Sequence, residues 1–144
     1  MKAKEYLSKY RKCMADLNFY EALKEQAIVD VASISSPKLD DRVQTSPTKD
    51  PICELVIELE RKIARYNLEM LNCKAKMMII ENQLWTIREH NEEFYKILTY
   101  RYIMDLDWNE IAEKMFMSYG VVTHKHSPAL KKFDELFGEY YAYD

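Results

Sequence analysis

An all-α fold is what this sequence predicts, and three observations carry that expectation. Among 144 residues only 2 are Gly and 4 are Pro, too few turn formers for a sandwich or a barrel. Apolar residues make up 48%, too many for a disordered chain, and Leu, Ile, Met, Lys and Glu abound. Apolar side chains also recur at helical spacing over long uninterrupted stretches.

The first element is a helix over 3–32, within an N-terminal segment 1–32. Tyr6, Tyr10, Cys13, Leu17 and Tyr20 alternate steps of four and three, followed by Leu23, Ala27, Ile28 and Val31. That spacing lays one apolar stripe along a helix. Residues 33–50 then change character, with Ser35-Ser36-Pro37, Asp40-Asp41 and Ser46-Pro47. Each Pro biases the residue before it away from helix, so a long linker loop is expected. Asp50 and Pro51 suit the cap and the first position of the next helix.

Residues 51–89 carry the clearest period. Ile52, Val56, Leu59, Ile63, Tyr66, Met70, Cys73, Met77, Ile80, Leu84 and Ile87 alternate steps of four and three without a break. With Val56 as a heptad a position, every a and d position through Ile87 is apolar or Cys. Such a run predicts a coiled-coil seam. A helix of this length spans roughly 50–60 Å and cannot bury its seam alone. Either the first helix folds back on it or a second chain makes a homodimer; the spacing fits both.

Residues 90–138 predict a separate helical unit. A helix over about 91–104 is followed by one opening at Asp107, with Glu110 three residues on as in a capping box. Met115–Met117 make a short turn, and Ser118 caps a third helix. Pro128 would remove about 3 kcal/mol from a helix interior, so Ser127 and Pro128 are expected to restart a helix that runs to Phe137 and stops at Gly138. Residues 139–144 read as a tail.

Several function classes are excluded. No run of 18 apolar residues exists, so no membrane span is expected. The opening Met1-Lys2-Ala3-Lys4-Glu5 does not resemble a signal peptide. Cys13, Cys53 and Cys73 are odd in number and form no CxxC, which points to free thiols in a reducing cytoplasm and to no zinc. His124 and His126 point apart on a helix and make no metal pair. No phosphate loop and no catalytic constellation is legible, so neither an enzyme nor a cofactor is expected.

Two short helices joined by a three-residue turn, Asp107–Met115 and Ser118–His126, form a helix-turn-helix pattern. Ile111, Ala112, Met115 and Val122 would pack between them. With Val122 inward, Tyr119, Gly120, Thr123 and His124 point outward, where a helix can enter a DNA major groove. Tyr119 is either a base contact or a surface aromatic. Lys125, Lys131 and Lys132 are the phosphate candidates, and Ser118 stands at the helix start. Phe116 occupies the turn, and a left-handed backbone there would cost a residue other than Gly about 1–2 kcal/mol.

These residues resemble region 4 of bacterial sigma factors. Tyr95–Ile103, Trp108–Met115 with its Glu110-Ile111-Ala112 core, Ser118–Val122 and Ala129–Phe133 carry the likeness. Ala32–Pro37, Asp41–Pro47 and Ala3–Leu7 are similar to the phage-encoded relatives of that region, the ArpU and RinA type late transcription regulators. The resemblance implies a bacterial cytoplasmic transcription regulator, with double-stranded DNA as partner and phage or prophage late genes as targets. It also implies that Tyr119, Gly120, Thr123 and His124 read bases. The charge distribution favours another class: residues 90–144 hold 6 basic and 10 acidic side chains, net −4. DNA affinity rests on basic side chains. A coiled-coil interaction factor that contacts host RNA polymerase or another regulator without specific DNA binding is the competing expectation.

Overall fold

The computed structural model describes residues 2–35 and 50–142. Most of the expected linker, 36–49, lies outside the described residues. Five α-helices follow in order: α1 (Lys2–Ser35), α2 (Pro51–His90), α3 (Glu92–Leu98), α4 (Trp108–Met115) and α5 (Tyr119–Ala142). A π-helical turn, Thr99–Ile103, follows α3. There is no strand among the described residues, so the protein is all-α as expected. No helix among them is long and apolar enough to cross a membrane.

Local capping sets the helix starts. Asp50 accepts a hydrogen bond from the Ile52 N–H at 3.0 Å, and Pro51 occupies the first position of α2. Asn91 caps α3 by accepting from the Phe94 N–H at 3.2 Å. α1 runs one turn further than the 3–32 reading, through Ser35.

The chain packs as two compact units. The second, Ala15–Lys74, holds the rest of α1 beside the first part of α2. There the Tyr20 and Tyr66 rings lie 6.3 Å apart. Leu59, Ile63, Tyr66 and Met70 are half-buried and Cys73 is buried, whereas Val56 is exposed.

The first unit combines Met1–Met14 with Ala75–Asp144. In it Met77, Ile80, Leu84 and Ile87 are buried. The Tyr6 hydroxyl donates to Gln83 Oε1 at 2.8 Å, and the Tyr10 hydroxyl donates to Glu81 Oε1 at 2.6 Å. The partner number on α2 falls as the number on α1 rises, so the two helices run antiparallel. This part of the seam is therefore closed within one chain. Burial and the Glu81 hydrogen bond push the Tyr10 phenol up to about 12.

Three expectations for this unit need correction. α5 does not restart at Ser127 and Pro128, nor does it stop at Gly138; it is continuous. Pro128 removes about 3 kcal/mol, but burying a large apolar side chain returns about 1.5–3 kcal/mol each, and Leu130, Phe133 and Tyr141 all lie on the buried face that the continuous helix preserves. The tail at 139–142 is the last turn of that helix. Tyr141 stacks on Tyr6 at 4.7 Å and faces Phe133 at 6.2 Å, so the start of α1 completes the core. Finally, the expected 91–104 helix ends at Leu98. Its last turn widens, with the Met104 N–H donating to the Thr99 carbonyl at 3.0 Å, and Tyr102 is buried.

Candidate nucleic-acid interface

The site is built on α4, the turn after it, and α5. Asp107 caps α4 by accepting from the Glu110 N–H at 2.8 Å, as the capping-box reading expects. That backbone hydrogen bond holds its carboxyl below the usual carboxylate range. Before it, Asp105 takes a left-handed backbone, φ 58°, and pairs with Arg11 at 2.6 Å. Asp tolerates that conformation better than most residues.

α4 ends in a Schellman motif. The Met117 N–H donates to the Ala112 carbonyl at 3.0 Å and the Phe116 N–H to the Glu113 carbonyl at 3.3 Å. The left-handed position is Phe116, φ 55° and ψ 41°. Its side chain is 96% exposed, so no packing offsets the strain. Ser118 then caps α5, its Oγ accepting from the Val121 N–H at 3.3 Å. Ile111, Ala112 and Val122 form the buried centre between the two helices, with Met115, Trp108, Tyr100, Leu106 and Met117 against it. These include the four residues expected to pack there.

His126 sets the roll of α5. Its Nε2 lies 2.8 Å from the Tyr102 hydroxyl, and its ring meets the Trp108 edge at 4.6 Å. Burial first, then Arg101 and Lys4, push the imidazole down to about 4. It is therefore neutral near pH 7. Arg101 in turn lies over the Trp108 ring at 4.6 Å and donates to the Leu106 carbonyl at 3.1 Å. α5 is thus held from the side opposite its exposed face.

That exposed face carries Ser118, Tyr119, Gly120 and His124, together at the start of α5, with Lys131 exposed further along it. A Cβ at Gly120 would meet nothing within 4 Å, so the position is open. Two expected residues are otherwise engaged. The Thr123 hydroxyl is half-buried and turned to its own helix, 2.9 Å from the Tyr119 carbonyl and 3.2 Å from that of Gly120. Its one hydrogen is spent there, which leaves it a methyl group and acceptor lone pairs. Lys125 Nζ contacts Glu93 Oε2 at 2.5 Å. Lys132 has a looser partner, Glu135 at 3.7 Å. Among the three phosphate candidates, Lys131 makes no ion pair within the described residues. Glu93, at the start of α3, carried no signal in the sequence, because only the packing of α3 against α5 brings it to Lys125.

No family model matches the chain, and neither curated proteins nor solved structures give a match.

Proposed function

We propose that this protein is a DNA-binding transcription regulator, of the phage sigma-region-4-like kind, that seats the first half of α5 in a major groove. One observation carries the reading: a capped helix, a tight turn and a second capped helix share the buried centre Ile111, Ala112 and Val122, which leaves Tyr119, Gly120 and His124 exposed together. A recognition helix needs that combination of rigid support and a free N-terminal half. His124 is the base-edge donor, Thr123 offers its methyl group and lone pairs, and Lys131 and Lys132 set register on phosphates.

A second reading has its own support. Phe116 is an exposed aromatic at the turn, Lys125 is neutralised by Glu93, and residues 90–144 are net −4. These favour a protein partner such as RNA polymerase, with DNA bound weakly by the protein alone. A salt-titrated mobility shift with DNA from the protein's own gene neighbourhood separates the two. Sequence-selective binding that weakens with salt supports DNA reading; equal or absent retardation on all duplexes refutes it.

A further inference from the structure

α2 carries a second apolar stripe that its heptad seam does not use. In the register with Val56 at a, the b and f positions from 64 through 75 are Ala64, Leu68, Leu71 and Ala75. Ile57 precedes them one heptad earlier, also at b. Their steps of four, three and four are those of a coiled-coil seam in its own right. In the second unit this stripe faces outward: Ile57 is 48%, Leu68 58% and Leu71 62% exposed, and Ala64 is exposed too. On the a and d face of the same unit Tyr66 lies against Tyr20 of α1 and Leu59, Ile63 and Met70 are half-buried, while Ile52 and Val56 near its start are exposed. A seam of this kind left open on a helix that already has one partner marks a docking face.

The flanking charges identify the occupant. In a parallel, in-register pair of α2 helices, f and b play the parts of a and d. The residues that then face each other across the seam are those preceding f in one copy and following b, five positions on, in the other. Glu60 of one copy meets Arg65 of the other, twice by symmetry. Asn67 meets Asn72, an amide pair that can hydrogen-bond. No like charges are opposed at these flanking positions; along the stripe itself the one like-charged layer is Arg61 with Arg61, which bounds the seam at Ala64. Arg61 interrupts the stripe between Ile57 and Ala64, and Glu60 of the opposite copy lies beside it. Antiparallel pairing with Leu68 against Leu71 sets Asn67 against Lys74 and Arg65 against Asn72, with no ion pair among them, and with Leu68 against Ala64 it pairs Glu60 with Lys74 but opposes Arg65 to Arg65 in the middle of the seam. Glu60 and Arg65 make no ion pair within the described residues of the single chain, so both are available. Ala64 at the seam lets the two backbones come close.

We infer that Ala64, Leu68 and Leu71 on α2 form a parallel homodimer seam with a second copy of this chain. It is a face distinct from the one that α1 covers, and the inference stands whether or not α5 reads DNA. A parallel pair sends both chains out of α2 at the same end.

Sedimentation of the full chain tests this. At about 100 μM the wild type is expected to be dimeric, which requires a Kd below about that concentration. Leu68→Lys and Leu71→Lys each weaken the dimer by at least about tenfold, with helical circular dichroism and melting of the monomer unchanged, because both positions are on the surface. Orientation is read by an interchain disulfide. In the Cys53→Ser background, Leu71→Cys and Ala64→Cys each crosslink to themselves under mild oxidation, since an antiparallel pair can bring a residue to its own copy at one point along the helix and only an in-register parallel pair does so at both. A monomeric wild type, or a dimer that survives both Lys variants, overturns the seam. A dimer lacking either crosslink overturns its parallel register.

Discussion

The Tyr102 hydroxyl and His126 Nε2, 2.8 Å apart, tie the π-helical turn to the middle of α5. Burial holds the phenol up at about 12 and the imidazole down at about 4. Between those values the ring is neutral, and a phenol that donates to Nε2 leaves the ring hydrogen on Nδ1.

Stability should therefore depend on pH through His126. Its folded pKa of about 4 lies below the ordinary 6.5, so the unfolded chain binds the extra proton first as pH falls. The contribution is full above about pH 6.5 and is lost as pH drops toward 4. Allowing for solvent screening of a half-buried ring, the loss is about 1–2 kcal/mol. Thermal melting at pH 7 and pH 4.5 should show a smaller difference in His126→Gln than in the wild type. An identical difference would show that the ring does not stay neutral.

Phe116→Gly should stabilise the fold. Glycine removes the left-handed penalty of about 1–2 kcal/mol and gives back part of it through greater freedom of the unfolded chain. A net gain of about 0.5–1 kcal/mol is expected by chemical denaturation, as the exposed ring contributes no packing. Loss of polymerase binding in the same variant would assign the ring to a partner.

The seam residues should separate by depth. The heptad pattern alone expects Leu59→Lys and Ile80→Lys to be equally severe. Ile80 is 2% exposed, whereas Leu59 is half-buried. A Lys at 80 places an ammonium among apolar side chains and should cost more than about 3 kcal/mol. At 59 the long stem can carry the charge to water, and the loss should be roughly half as large. Equal melting temperatures would contradict this gradient.

DNA affinity should respond to α3 as well as α5. Glu93 competes with phosphate for Lys125, so Glu93→Gln should raise affinity and steepen the salt slope by up to about one unit. Lys131→Ala should weaken binding evenly across sequences and flatten the slope by about one unit. His124→Ala should instead change preference at a single base pair by roughly 1–3 kcal/mol. Anisotropy titrations at two salt concentrations distinguish the three behaviours.

What the sequence made legible is largely local. Asp50 with Pro51, Asp107 with Glu110, and Ser118 act on groups two to four residues away, so their roles follow from spacing. The buried trio Ile111, Ala112 and Val122 follows from helical phase across one short turn. Phase also set His126 apart from the outward-facing His124. What spacing could not supply depends on distant partners. Pro128 stays inside a helix because burial beyond it outweighs a local rule. Tyr141 is core because Tyr6 lies against it. The Thr123 hydroxyl is turned to the Tyr119 and Gly120 carbonyls rather than to solvent, which composition does not register. The ion pair of Lys125 with Glu93 exists only once α3 and α5 have packed.

The stacking of Tyr6 on Tyr141 also has a kinetic meaning. This contact closes a very long loop, and such closures are late events in folding. As the chain emerges from the ribosome, Tyr6 is made long before Tyr141 and has no stacking partner there until residue 141 has been synthesised. A fragment begun at residue 90 would keep both helices around the turn while leaving the Phe133 and Tyr141 face bare. Such a fragment should aggregate, and binding experiments on it would measure that exposed wall rather than the first half of α5.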